Sequence, residues 1–285
     1  MINSPKTTDT APALPYKELF IYYLHGLADT GGLEALAGLI GNWHEGDCSF
    51  LFFPCPAEDQ VRCLLERQPD LTLLDKYHMS YEQWLGERFG PFETGRLRIS
   101  PAWEPPARRQ DRDIVLDPGV VFGTGTHPTT RRCLEAIEWV VGQEEIGTAI
   151  DCGTGSGLLA LAAAKLGCRR VLAIDLNPLC AQTAARNVMA NGLGGSIAVV
   201  QGRAEELVRC RADLLVANIH FDVMQTLVAT EGFAQKPWFV LSGLMTSQYR
   251  CICDQLAARG AAIVKNWDCD GVWFTICGKN AKDTR

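Results

Sequence analysis

Two acids and three glycines between positions 151 and 175 are the residues of this sequence whose types and spacing are best suited to chemistry. Asp151-Cys152-Gly153-Thr154-Gly155-Ser156-Gly157 follows the apolar pair Ala149-Ile150, and Asp175 closes a second apolar run, Val171-Leu172-Ala173-Ile174. A dinucleotide fingerprint needs G-x-G-x-x-G, whose last glycine lets a helix pack close beneath a pyrophosphate. Here Leu158 occupies the place of that last glycine and the spacing is G-x-G-x-G. Such a loop turns beneath a nucleoside that carries no diphosphate. S-adenosylmethionine (SAM) meets that description: its amino-acid end can lie against bare backbone N–H groups at a helix start, while Asp175 accepts from two ribose hydroxyls. Glycines serving sterics alone, or a nicotinamide site with an altered fingerprint, would give a similar loop. The acid at the tip of the second apolar run favours the sulfonium nucleoside.

A second candidate is Asn218, at the end of the apolar run Leu214-Leu215-Val216-Ala217. Methyl transfer from a sulfonium asks little of side chains except that a neutral nucleophile be held in line with the methyl group. A lysine of pKa near 10.4 is neutral in roughly one molecule in two thousand at pH 7, an α-amine near 7.7 in roughly one in six. An α-amine is the easier acceptor, and a lysine needs a desolvating pocket. The side-chain carbonyl of Asn218 can accept an amine N–H and align its lone pair; the plainer reading is a strand-end cap. The passage Phe122-Gly123-Thr124-Gly125-Thr126-His127-Pro128-Thr129-Thr130, rich in glycine and threonine, makes a poor core element but a good lid. Thr129 or Thr130 is expected to N-cap a helix beginning near Arg131, with His127 as a turn residue.

These residues need a scaffold. Apolar run, glycine loop, the alanine-rich stretch Leu158 to Lys165 and a second apolar run describe one βαβ unit. A helix from Asn177 to Asn191 and strands at Ile197–Val200, Asp213–Asn218, Trp238–Leu241, Ala262–Trp267 and Val272–Ile276 extend it, with a helix from Ser247 to Arg259. The fold class is therefore α/β, a Rossmann-like sheet of seven strands, mostly parallel with an antiparallel edge. Ahead of it, strands at Leu19–Leu24, Cys48–Phe53 and Leu71–Lys76, with helices at Gly31–Ile40 and Ala57–Gln68, suggest a small α+β, ferredoxin-like domain. A helical piece from Tyr81 to Phe89 follows. The expected division is a mobile leader over 1–15, a substrate-recognition domain over 16–98, a linker over 99–112 stiffened by Pro105-Pro106, and the nucleoside-binding domain over 113–285.

With 47% apolar and 21% charged residues the chain has the composition of a globular protein, and its net charge of −6 argues against non-specific binding to nucleic acid phosphates. No apolar run reaches membrane-spanning length and the first residues have no signal-peptide core, so a cytoplasmic location is expected and a membrane is not. The twelve cysteines include no C-x-x-C pair, so reduced thiols are expected and no metal site.

Taken together, Asp117-Pro118-Gly119, the segment Phe122 to Thr130, Asp151 to Gly157, Asp175 and Asn218 resemble the bacterial PrmA family, SAM-dependent methyltransferases of the eleventh large-subunit ribosomal protein. The resemblance is strong from about Tyr81 to Phe221 and weak in the first eighty residues. It implies SAM contacts from Thr130, Asp151, Gly153, Gly155, Gly157, Asp175 and Asn218. Phe122, Gly123, Thr124 and Thr126 then cover the cofactor, and the N-terminal domain docks the ribosomal protein. One stretch departs from the family: Asn218 is followed by Ile219-His220-Phe221, where Ile-Leu-Ala is usual. Asn-x-x-Phe is similar to the Asn-Pro-Pro-Phe motif of enzymes that methylate planar nitrogens, where the aromatic ring stacks on the acceptor, though neither proline is present. His220 and Phe221 are accordingly candidate substrate-lining residues. Three classes stay open: a protein amine methyltransferase, a methyltransferase of a glutamine amide or nucleic acid base, and a SAM-binding module without catalysis.

Overall fold

The computed structural model describes residues 14–30, 36–86 and 89–281. Nearly all of the expected leader, and residues 31–35 of the expected first helix, lie outside that set.

The first sheet is built from β1 (Glu18–His25), β2 (Gly41–Glu45) and β3 (Cys48–Phe53), then α1 (Glu58–Arg67) and β4 (Thr72–Ser80). Its strand order β2-β3-β1-β4, antiparallel throughout, is the ferredoxin-like order expected from sequence. β2 was not anticipated, because Gly41-Asn42-Trp43-His44-Glu45 has no apolar alternation and is held by pairing with β3. β1 and β3 are buried on both faces. Tyr22, Leu24, Leu51 and Phe53 pack with Val61 and Leu64 of α1, while Leu19, Ile21 and Phe52 pack with Val120, Val121, Leu179 and Cys180 of the later chain. The helix expected to reach Phe89 is the short α2 (Tyr81–Leu85), stopped by Gly86 at φ +79°.

A small sheet follows: β5 (Phe92–Thr94), β6 (Leu97–Pro101) and β7 (Asp113–Leu116), with β6 and β7 parallel. The expected linker thus includes the end of β6, and residues 102–112 join two neighbouring strands of one sheet.

The main sheet alternates with helices: α3 (Pro128–Val141), β8 (Thr148–Cys152), α4 (Leu158–Lys165), β9 (Arg170–Asp175), α5 (Pro178–Ala190), β10 (Ile197–Gln201), α6 (Ala204–Leu207), β11 (Leu214–Asn218), α7 (Phe221–Ala229), α8 (Glu231–Ala234), β12 (Trp238–Met245), α9 (Thr246–Ala258), β13 (Ala262–Cys269) and β14 (Trp273–Lys279). The order is β10-β9-β8-β11-β12-β14-β13. All seven strands expected from the apolar runs are present. The one antiparallel to its neighbours, β14, lies one position in from the edge, inserted between β12 and β13. Alternate residues of the central strands feed two cores. Ala149, Leu214 and Val216 face α3 and α4, while Ile150, Leu215 and Ala217 face α7 and α9. Because α4 packs at the centre, Leu158 through Ala163 are all buried. No helix among the described residues is long and apolar enough to cross a membrane.

Candidate functional site

The site forms where β8, β9 and β11 end, beyond the carboxyl edge of the sheet, where open α/β sheets bind ligands. The turn after β8 climbs through Gly153, Gly155 and Gly157, all at positive φ (+71°, +55° and +86°), before α4 begins. Gly155 is required twice over, by its φ and because a Cβ there would stand 2.5 Å from the Phe122 carbonyl oxygen. That carbonyl accepts the Ser156 N–H at 3.0 Å, and Ser156 Oγ donates to the Gly123 carbonyl at 2.7 Å. The segment expected to cover the cofactor is thus stitched onto the glycine loop. Within it the Thr124 and Thr126 hydroxyls meet at 2.7 Å.

One expectation is narrowed here. Bare N–H groups are expected where the glycine loop meets the helix, but those of the loop itself, from Gly153 to Gly157, are bonded within the chain. Gly153 and Thr154 donate to the Ile174 carbonyl, Gly155 to Asp175, Ser156 to Phe122 and Gly157 to Thr154. A loop buried this deeply has to satisfy its own donors. What it offers a ligand is acceptors.

Asp175 accepts from Gly155 N–H at Oδ2 and from Asn177 N–H at Oδ1, both at 2.9 Å, so it clamps the loop to the start of α5. Burial raises its pKa, opposed by these two bonds and one from Cys180. Each carboxylate oxygen keeps lone-pair capacity for a hydroxyl. Asp151 is 2% exposed. Its Oδ2 takes the Thr154 hydroxyl at 2.6 Å and the Ala160 N–H at 3.1 Å, tying down the first turn of α4, while Oδ1 is buried with no partner. Burial, with a smaller contribution from Asp175, pushes its carboxyl up to about 7. An orphaned carboxylate oxygen and a second acid bonded to the glycine loop suit a ligand rich in donors, and SAM brings an ammonium and two ribose hydroxyls.

Asn218 closes β11. Ala217 pairs with Cys152 and Asn218 with Ser242, and the Ile219 side chain covers Gly153, so Asn218 stands beside the glycine loop. Its Nδ2 donates towards the hydroxyls of Thr129 (3.2 Å) and Thr130 (3.4 Å), which places Oδ1 on the opposite side. Gly243 leaves room there; a Cβ would come within 3.0 Å of Oδ1. Thr130 is almost wholly buried, with its hydroxyl behind Asn218. The N-cap of α3 is neither threonine but His127, whose Nδ1 accepts the Thr129 N–H at 3.3 Å, with Pro128 opening the helix. His220 is exposed, and Phe221 packs in part against the core beneath α7, which gives its ring a structural task. Arg203 is paired with Glu205 at 2.8 Å.

Four residues at the site were not anticipated: Thr129 as a partner of Asn218, Ile219, Gly243 and Leu176. Leu176 directly follows Asp175 and is 61% exposed. A large apolar residue next to a strand-end acid was the signal available for it. The other pairings bring together residues far apart in sequence and left none. Among the described residues no cluster of metal-ligating groups occurs.

A model of the family described as "Ribosomal protein L11 methyltransferase (PrmA)" matches residues 65–281. The ribosomal protein L11 methyltransferase of Pelotomaculum thermopropionicum is 40% identical over 209 residues, covering 70% of this chain and 67% of that protein. The protein of the same name from Halalkalibacterium halodurans is 37% identical, covering 67% and 61%. The chain thus spans about two thirds or less of the length of these curated relatives. Among solved structures, the ribosomal protein L11 methylase of Lactobacillus delbrueckii subsp. bulgaricus superposes with a TM-score of 0.58 at 30% identity, over 67% of this chain and 100% of that one.

Proposed function

The chain belongs to the ribosomal protein L11 methyltransferase (PrmA) family, and from that premise we propose that it transfers methyl groups from SAM to amines of ribosomal protein L11, α-amino and/or lysine. When bound, SAM supplies an electrophilic methyl on a sulfonium. The chain's own residues do the rest. Asp151 would hold the cofactor's ammonium through its unpartnered Oδ1, and Asp175 would accept from its ribose hydroxyls. Leu176 gives an apolar surface for the base, and Phe122 to Thr126 lie over the glycine loop. The N-terminal sheet recognises the ribosomal protein.

The observation that carries this reading is the fixed amide of Asn218. Its Nδ2 is engaged by Thr129 and Thr130, so the carbonyl is left to accept an N–H from a neutral amine and to aim the nitrogen lone pair at the methyl. The partial burial of Phe221 in the core disfavours a stacked planar nitrogen as acceptor. Transfer of radiolabelled methyl from SAM to ribosomal protein L11, with ribosomal RNA as the parallel acceptor, tests the proposal. Label in the protein supports it and label in RNA alone overturns it. Asn218→Ala should lower turnover about a hundredfold, in the range of a lost positioned transition-state contact, while SAM affinity changes less than about threefold.

A further inference from the structure

His127 takes no part in the chemistry above, yet its bonding dictates the polarity of the amide that does. Two groups converge on its Nδ1: the Thr129 N–H at 3.3 Å and the Thr129 hydroxyl oxygen at 2.7 Å. A backbone N–H only donates, so Nδ1 is an acceptor without hydrogen, and the neutral ring carries its proton on Nε2. The short contact to Thr129 Oγ1 is then the hydroxyl donating to Nδ1. A threonine has one hydroxyl hydrogen. With that hydrogen committed to His127, the oxygen can only accept, and the group it faces is Asn218 at 3.2 Å.

An asparagine side chain can turn over with almost no change of shape, exchanging its carbonyl for its NH2. Against an oxygen that can only accept, one orientation bonds and the other sets two lone pairs face to face. We propose that His127 is a positioning residue: by drawing the Thr129 hydroxyl proton to Nδ1 it forces Asn218 to turn its NH2 inward and its carbonyl towards the acceptor amine. Deprived of this acceptor, Thr129 is free to donate to Oδ1, and the turned-over amide presents hydrogens to an amine that needs an acceptor. The ring is held for this task by edge contacts with Phe122 at 5.6 Å and Trp273 at 5.2 Å. Burial lowers its pKa, which keeps the ring neutral. The inference rests on the methyl-transfer reading of Asn218.

The test uses the full chain with SAM and ribosomal protein L11. Thr129→Val removes the hydroxyl but keeps the capping N–H, and His127→Phe keeps an aromatic ring while removing the acceptor. Each is expected to lower kcat about tenfold or more, the size of coupling between residues of one network, with SAM affinity by calorimetry nearly unchanged. Thr129→Ser and His127→Asn restore the relay and should recover most of the rate. In an Asn218→Ala background neither Thr129→Val nor His127→Phe should reduce kcat further. The 15N spectrum of labelled histidine should show Nδ1 unprotonated in the wild type. A His127→Phe or Thr129→Val enzyme that keeps kcat, losses that add in full to Asn218→Ala, or a proton on Nδ1 overturns the inference and leaves the methyl-transfer reading intact. Absence of methyl transfer by the wild type, by contrast, overturns that reading first and the task given to His127 with it.

Discussion

Replacing Asp151 with asparagine should make the protein more stable and a worse binder of SAM. The carboxylate is 2% exposed with one oxygen unpartnered, and burial pushes its pKa up to about 7, against an ordinary value of 3.8. The folded chain therefore holds a proton that the unfolded chain releases near pH 4. Stability at Asp151 is fully present below about pH 4 and lost as pH rises towards 7. One pH unit between the two values is worth about 1.4 kcal/mol, so keeping this charge buried at pH 8 costs the fold up to about 4 kcal/mol. Asparagine abolishes the charge and keeps an acceptor for Thr154 and Ala160, but buries an amide N–H without a partner, at a cost of about 1–3 kcal/mol. The net gain at pH 8 is about 1–3 kcal/mol, or about 2–6 °C in Tm for a chain of this size. At pH 5 the cost has fallen to about 1.6 kcal/mol, which the unpartnered amide N–H offsets, and the gain should vanish. Calorimetric titration should show SAM binding weakened roughly ten- to a hundredfold at pH 8, the value of a hydrogen bond to a charged group. A variant less stable than wild type at pH 8, equally stabilised at both pH values, or unaltered in SAM affinity refutes the reasoning.

Asp175→Ala removes the clamp between Gly155 and Asn177 as well as the proposed ribose acceptor, and should weaken SAM binding by about 1.5–3 kcal/mol on titration calorimetry. Gly155→Ala puts a Cβ 2.5 Å from the Phe122 carbonyl at φ +55°; denaturant unfolding should show a loss of about 1–3 kcal/mol, and SAM binding should fail with it. Tyr81→Phe deletes a buried hydroxyl that donates to the Gly119 carbonyl at 2.7 Å, and scanning calorimetry should register about 1–2 kcal/mol of destabilisation with SAM affinity retained.

What could be read from the sequence was what repeats locally. The central strands of the main sheet were legible because burial on both faces leaves a continuous apolar run along the chain, as in Leu214 to Ala217, and the outer strands kept enough β-branched and aromatic residues to be read as well. The positions of Asp175 and Asn218 followed, since each simply ends such a run. Pairings across long separations left no such mark. β7 beside β6, β14 between β12 and β13, and the contact of Thr129 with Asn218 are settled by tertiary packing. His127 as helix cap was missed because threonine is the commoner cap and two threonines stood close by. The donors of the glycine loop are taken up for a physical reason: Ile174 and Phe122 supply carbonyls that the sequence does not place next to it.

The inner face of the N-terminal sheet bears on how such an enzyme can acquire new substrates. Leu19, Ile21 and Phe52 share a core with Leu179 and Cys180, and Leu179 fills the space left by Gly41, where a Cβ would come within 2.7 Å. Asn177, which caps α5 two residues beyond Asp175, reaches the His44 carbonyl at 3.4 Å. With the N-terminal sheet as the proposed reader of the substrate, reader and reaction chamber have a party wall, and a foreign reader grafted onto this body would need the same bumps and hollows on its inner side. Variation in what is recognised is free to accumulate only on the outward surfaces, α1 and the long border strand β4, while the shared wall stays fixed by fit.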